Sequence, residues 1–336
     1  MIVRSKAPLR ISFGGGGTDV SPYAEERGGA VLSATIDRYS YSTLITQDRE
    51  SVNVHSLDFN ISFTYNFGDV LKYDGNLDLV KAALKLMEIR QGFELILHSD
   101  APPGTGLGSS SAAVVTMVGV FKHLLHRPLT DYQVAELAYR IEREEAGIKG
   151  GRQDHYAATF GGFNFIEFLG TVTIANPLRI KADILNELQY RLMLCYSGRS
   201  RVSAEIIKDF SSAYAQRNQD IIQALDETKA LAFAMKNALL LGQLNEFGSL
   251  LHEAWCIKKR LSPKISDSSI DALYELARQN GAIGGKILGA GGGGYLLLLC
   301  EFDKKHLVTR KLEEVGVQVS SLAFEPQGLQ TWEVNP

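Results

Sequence analysis

The chain has 336 residues, 45% hydrophobic and 22% charged, enough for one large or two ordinary globular domains. A net charge of −3 and the lack of a dense Lys/Arg stripe exclude a general nucleic-acid surface, and no apolar run approaches the roughly 18–20 residues of a membrane helix. Three scattered cysteines (Cys195, Cys256, Cys300), without CxxC spacing, read as reduced buried thiols of a cytoplasmic protein, and the N-terminal segment lacks the apolar core of a secretory signal.

The first third of the chain predicts mainly strand: Ala30–Thr46 is rich in β-branched and aromatic residues, and Phe93, Leu95 and Leu97 alternate with Glu94, Ile96 and His98. Two helices follow. One opens in Ser109–Ser111 and continues through Ala113, Met117, Val120 and Leu124. The other opens on a capping box, Thr130-x-x-Gln133, and puts Val134, Leu137, Ala138 and Ile141 on one stripe. Gly162–Phe168 reads as strand. Past residue 185 the pattern predicts long helices over Ile221–Leu241, Leu244–Arg260 and Ser268–Gln279, with Lys258-Lys259-Arg260 as a solvated helix end. Strand Lys286–Leu288, a glycine run, strand Tyr295–Cys300, a helix near Lys304–Glu314 and strand Gln318–Phe324 complete an α+β pattern. Two lobes are expected, residues 1–180 and 181–336.

Two runs of four glycines, Gly14–Gly17 and Gly291–Gly294, are framed by apolar residues, which suits tight turns or close approach to a ligand better than a linker. Between them Pro102-Pro103-Gly104-Thr105-Gly106-Leu107-Gly108-Ser109-Ser110-Ser111-Ala112 joins a predicted strand to a predicted helix. Glycines at alternate positions let backbone N–H groups curl round an anion, the helix N-terminus adds unpaired N–H groups, and the serines add hydroxyls. The segment therefore predicts a polyphosphate cradle. It is neither of the common ones. The third glycine comes one residue too early for GxGxxG, and Gly285-Lys286 is followed by Ile287 with Asn280 where a P-loop needs glycine. A serine-hydrolase elbow is also absent, since Gly108-Ser109-Ser110-Ser111-Ala112 lacks the closing glycine.

Phosphoryl transfer further needs a metal, a group to orient the attacking hydroxyl and positive charge. Glu142, Glu144 and Glu145 close the second helix, and Asp154 follows the turn Gly147–Gly151; His155, like His55 and His98, reads as structural.

Three segments in order, Ala7–Arg10 with Phe13–Asp19, Pro103–Ala112 and Lys286–Tyr295, make the chain resemble the GHMP kinase superfamily, and they span nearly its whole length. The resemblance implies an N-terminal lobe like ribosomal protein S5 domain 2 and a ferredoxin-like C-terminal lobe, with ATP and substrate between them. It implies that Pro103, Gly104, Thr105, Gly106, Leu107, Gly108, Ser109, Ser110 and Ser111 hold nucleotide, and that Ser110 and Glu142 hold Mg2+. Helical periodicity on its own puts Glu145, not Glu142, near the middle of the stripe, unless the helix frays before Gly147. By the same resemblance Asp154 is the catalytic aspartate and Arg10 the basic residue near the transferring phosphoryl group. Gly16, Gly17, Thr18, Asp19, Gly151, Arg152, Gly291 and Gly292 are expected on the substrate side.

Galactokinases carry a Glu-His pair where this chain has Gly16-Gly17, which argues against galactose. The form FGGGGTD, with Gly150–Asp154 and Phe160–Phe165, is similar to the heptose kinases. These phosphorylate the anomeric hydroxyl of D-glycero-D-manno-heptose 7-phosphate, on the route to GDP-heptose and surface polysaccharide. Such a sugar phosphate needs a second anion pocket, for which Lys149, Arg152, Arg199 and Arg201 are candidates. Other anomeric sugar kinases (fucose, uronic acid, hexose) and a non-catalytic sugar sensor are the competing readings. The oligomeric state is left open, a homodimer included.

Overall fold

The structure, a computed structural model, describes residues 1–198 and 203–335. Strand β1 (Ile2–Gly14) runs antiparallel to β2 (Gly29–Thr46), with the short helix α1 (Tyr23–Arg27) between them. β3 (Ser51–Ser56) and β4 (Ile61–Asn66) form a hairpin, α2 (Asp78–Met87) follows, and β5 (Phe93–Ser99) inserts between β2 and β3. Then come α3 (Ser109–Leu124), α4 (Asp131–Tyr139), a π-helical turn (Arg140–Glu145), α5 (Gln153–Phe160) and the hairpin β6 (Phe163–Leu169) and β7 (Val172–Pro177). β2 is long enough to take two partners along one side: β6 through Gly29–Ala34 and β5 through Ser40–Thr46.

Helix α3 is buried nearly all round, including Val114, Val115, Val118 and Phe121, so it forms the centre of the first core rather than an amphipathic cover. The capping box of α4 closes in both directions: Gln133 N donates to Thr130 Oγ1 at 3.3 Å and Thr130 N to Gln133 Oε1 at 2.9 Å.

The second sheet belongs to α6 (Ala182–Arg191), β8 (Leu192–Tyr196), the helices α7 (Ser203–Ala215), α8 (Gln219–Leu240), α9 (Leu244–Leu261) and α10 (Ser268–Gln279), then β9 (Ala282–Ile287), β10 (Tyr295–Cys300), α11 (Lys305–Glu314) and β11 (Gln318–Ser320). Its antiparallel order, β11-β8-β10-β9, is the ferredoxin-like arrangement. Trp255, Tyr274 and the Leu296 and Leu298 side of β10 fill its core.

Some expectations change. The tail does not stay with the second lobe: β12 (Gln330–Val334) returns to pair with β1, giving a first sheet of order β12-β1-β2-β5-β3-β4 with β6 and β7 alongside. Gly119 of α3 makes that return possible, since a Cβ there would lie 2.9 Å from Thr331 Oγ1. The strand expected at Lys286–Leu288 spans Ala282–Ile287. Gly284 and Gly285 hide it, yet they are what lets α9 press onto it, a Cβ on Gly284 standing 2.0 Å from the Gly248 carbonyl. The strand expected over Gln318–Phe324 ends at Ser320, and Phe324 makes an isolated bridge with Ile36. Cys195 and Cys300 are buried, but Cys256 is exposed on α9. Among the described residues no helix is long and apolar enough to cross a membrane.

Candidate active site

The end of β1, the β5–α3 loop, the π turn, the start of α5, the end of α9 and the β9–β10 loop surround one cavity of about 260 Å³. The β5–α3 loop alternates. Gly104, Gly106 and Gly108 line the cavity, while Thr105 and Leu107 are buried behind them and Pro103 stands half-buried outside. Gly108 is left-handed (φ 77°) and supplies the N-cap of α3 with no side-chain cap bond, so the first-turn N–H groups are left for a ligand. Ser109, Ser110 and Ser111 line the cavity at that positive helix end.

The third glycine segment braces this loop backbone to backbone. Tyr295 N donates to the Thr105 carbonyl at 3.0 Å, and a Cβ on Gly289 would lie 2.6 Å from Gly106 Cα. Gly289 and Ala290 line the cavity. Gly291 and Gly292, expected at the substrate, do not: they pack on Ile265, whose carbonyl accepts from Gly292 N at 2.8 Å.

Glu142 is 1% exposed and accepts from Ser110 Oγ at 2.7 Å and Ser111 Oγ at 2.6 Å, with His155 Nε2 2.7 Å away. Burial pushes its carboxyl up, but Arg143, His155 and Ser111 together outweigh that and hold it below the usual range. Glu145 points elsewhere, to Lys85 and Tyr73. The π turn is the reason. With Ala146 N bonded to Ile141 O, five residues back, each residue advances less round the axis, and Glu145 no longer returns to the α-helical stripe.

On the opposite wall Arg10 of β1 donates from Nε to Asp154 Oδ1 at 2.7 Å and from Nη1 to the Gly106 carbonyl, linking the first turn of α5 to the phosphate loop. A Cβ on Gly108 would lie 3.4 Å from Asp154 Cγ, so this carboxylate borders the helix start. Asp19, 2% exposed, accepts from Gly17 N, Gln153 N and Gln153 Nε2 at 3.0–3.1 Å; burial nevertheless raises its carboxyl above the usual value, and Asp154 adds to the rise. Gly151 must be glycine here, because a Cβ would fall 1.9 Å from Asp19 Oδ2. Gly16 and Gly17 line the cavity, and a Cβ on Gly16 would meet nothing closer than 3.6 Å.

Two more expected substrate contacts, besides Gly291 and Gly292, stand outside. Thr18 is buried with its hydroxyl donating to the Gly15 carbonyl at 2.8 Å, holding the turn. Arg152 lies over the Tyr139 ring and reaches Glu25 at 3.3 Å. Arg199 and Arg201 lie outside the described residues, whereas Lys149 lines the cavity. Sequence reasoning missed Arg143, Gln153, Lys258 and Lys286, all cavity-lining. Lys258 had been expected in solvent, but it is 8% exposed and donates to the Ile287 carbonyl at 2.8 Å and the Gly289 carbonyl at 2.5 Å. Only Lys259 and Arg260 form the solvated helix end, paired with Asp271 and Glu227.

Residues 78–162 match the GHMP kinases N terminal domain and residues 222–318 the GHMP kinases C terminal domain. The chain is 36% identical to the D-glycero-alpha-D-manno-heptose 7-phosphate kinase of Campylobacter jejuni, over 99% of both chains. It also resembles the crystal structure of a D-glycero-D-manno-heptose 1-phosphate kinase from Bacteriodes thetaiotaomicron, with TM-score 0.83, 34% identity and coverage of 99% and 100%. A galactokinase of Lactococcus lactis shares the fold at TM-score 0.78 and 20% identity, covering 98% of this chain and 95% of that one. A glycine loop opening an uncapped helix, braced by a second glycine loop and faced by an Arg–Asp pair, thus sits on the two domains of a known family: the chain belongs to the GHMP kinases, which pass a phosphoryl group to an alcohol group.

Proposed function

We propose that the protein phosphorylates the anomeric hydroxyl of D-glycero-D-manno-heptose 7-phosphate with ATP and Mg2+, giving the 1,7-bisphosphate for surface polysaccharide synthesis. The observation that carries the reaction is the position of Asp154, bonded to Arg10 and bordering the N-cap of α3 in the same cavity. An acceptor hydroxyl beside Asp154 has a base to receive its proton, while Arg10 offers positive charge to the group in transit. The N–H groups at the start of α3 and the loop glycines hold the polyphosphate. Asp19, fixed by three N–H donors, presents a carboxylate edge to sugar hydroxyls, and Gly16 leaves room for a bulkier sugar than a side chain there would allow.

Ser110 and Glu142 fit Mg2+, since both present oxygen donors and two protein ligands leave the remaining positions to water and phosphate. Mg2+ supplies charge neutralisation across the phosphates. Among the described residues no group of three or more His, Cys, Asp or Glu is placed to hold a metal, in keeping with a site completed by nucleotide. The heptose reading is supported by the 36% identity to the Campylobacter jejuni enzyme, and of the four candidate cations for the sugar's own phosphate Lys149 is the one that lines the cavity among the described residues.

The test is ADP release with ATP, Mg2+ and a panel of heptose 7-phosphate, heptose 1-phosphate, fucose, galactose and mannose, with phosphorus NMR of the product. The expected result is turnover with the 7-phosphate and a new resonance at C1. Preference for an unphosphorylated sugar, or a product phosphorylated away from C1, overturns the assignment.

A further inference from the structure

One side of the cavity carries more positive charge than the protein balances. Arg10, Lys258 and Lys286 are 4%, 8% and 5% exposed and all line it, yet Asp154, bonded to Arg10, is the one carboxylate paired with any of them among the described residues. The two amines are tied to carbonyls alone: Lys258 to Ile287 and Gly289, and Lys286 to Phe13 at 3.2 Å. In its ammonium form, with three protons to give, each amine keeps at least one donor unspent beside the cavity. Buried cations without counter-ions are costly unless a ligand supplies the charge.

The placement says which ligand. Lys258 holds the Gly289 carbonyl, and Gly289 is the residue packed against Gly106 of the phosphate loop. Arg10 bonds the Gly106 carbonyl from the other side. The charged groups that bear on the two amines are each other and Arg10, from α9, β9 and β1, with Asp154 of α5 behind Arg10. We propose that Lys258 and Lys286 form an anion subsite, contributed by the second lobe, that contacts the terminal phosphoryl group of the nucleotide as it passes to the acceptor. The sugar's own phosphate is a second source of the same chemistry, and the experiment separates the two. The inference rests on the kinase activity of this cavity and not on which sugar is the acceptor.

Electrostatics point the same way. Burial, then Arg10, lowers the Lys286 amine to about 8, and burial, Lys286 and Arg10 lower Lys258 well below the ordinary lysine value. An arriving phosphoryl anion favours the ammonium forms, so binding takes up protons.

The experiment compares ADP with a non-hydrolysable ATP analogue, both with Mg2+, by titration calorimetry on the full-length protein and its Lys258→Met, Lys286→Met and Lys258→Arg variants. The expected result is a loss of affinity of at least ~10-fold for the analogue, with ADP changed less than about twofold and Lys258→Arg recovering part of the loss. At pH 8, calorimetry in two buffers of different ionisation enthalpy should show proton uptake on binding the analogue, absent with ADP and reduced in each Met variant. Equal losses for ADP and analogue would mark a structural role and overturn the proposal, as would unchanged analogue affinity. Loss confined to the KM of the phosphorylated sugar assigns the subsite to that phosphate and also overturns it. Failure of the heptose assignment leaves the calorimetric readouts with ADP and the ATP analogue intact.

Discussion

Replacing Asp154 with Asn tests the base directly, because the geometry allows charge to be removed with little else. The Asn side chain has the same outline and keeps an oxygen for Arg10 Nε, which sits at 2.7 Å from Asp154 Oδ1, and Arg10 retains the Gly106 carbonyl. What disappears is the negative charge and a proton acceptor. Turning an ion pair into a bond from the guanidinium to a neutral amide oxygen costs about 1 kcal/mol of stability. Losing a general base slows chemistry by about 10²–10⁴-fold, equivalent to roughly 3–5.5 kcal/mol of barrier. Nucleotide affinity should hold or improve, since a carboxylate next to the phosphate loop has gone. Steady-state ADP release gives kcat and KM, and calorimetry with the ATP analogue gives affinity. A kcat within about threefold of wild type refutes the assignment, and a parallel collapse of nucleotide binding shows that the residue was holding the site together.

Gly106→Ala places a Cβ 2.5 Å from the Leu288 carbonyl at a residue with φ of 87°, so stability should fall by at least about 2 kcal/mol in urea denaturation, with a higher KM for ATP. Glu142→Gln leaves Arg143 without its buried counter-charge and weakens the hydrogen bonding to His155, Ser110 and Ser111, and should cost about 3 kcal/mol at pH 7. The Glu142 carboxyl titrates lower in the folded than in the unfolded chain. Its contribution is therefore complete above the unfolded value of about 4.3 and fades as pH drops toward the folded one. The stability difference between wild type and variant should shrink progressively as pH falls below about 4. Lys149→Ala should raise KM for the phosphorylated sugar at least ~10-fold and leave KM for ATP within about twofold, read from the same coupled assay.

Local signals carried much of this fold. The capping box at Thr130, the alternation over Phe93–Ser99 and the apolar run Tyr295–Cys300 specify their elements through nearby residues, and each forms where its pattern lies. The glycine loop before α3 could be placed at the cavity for the same reason, since its alternate glycines and following serines are contiguous. Long-range packing was not. Strand β9 carries Gly284 and Gly285, poor strand formers that are retained because α9 needs the space. The π turn moved the carboxylate by a change of helical pitch that no residue pattern announces. Lys258 lies beside two ordinary surface cations, and only the carbonyls of β9 and the loop after it, some thirty residues on, make it a wall of the cavity.

The return of β12 to β1 has a mechanical consequence. With Ile2 registered against Val334, the first and last strands are neighbours, and the second lobe is spliced into the first as a loop tied down at both ends. Such a lobe has no free end about which to swing. Wide clamshell opening would part the backbone contact between Gly106 and Gly289 and the bond from Tyr295 N to the Thr105 carbonyl. Substrate entry should therefore proceed by small shear and side-chain motion at the cavity mouth.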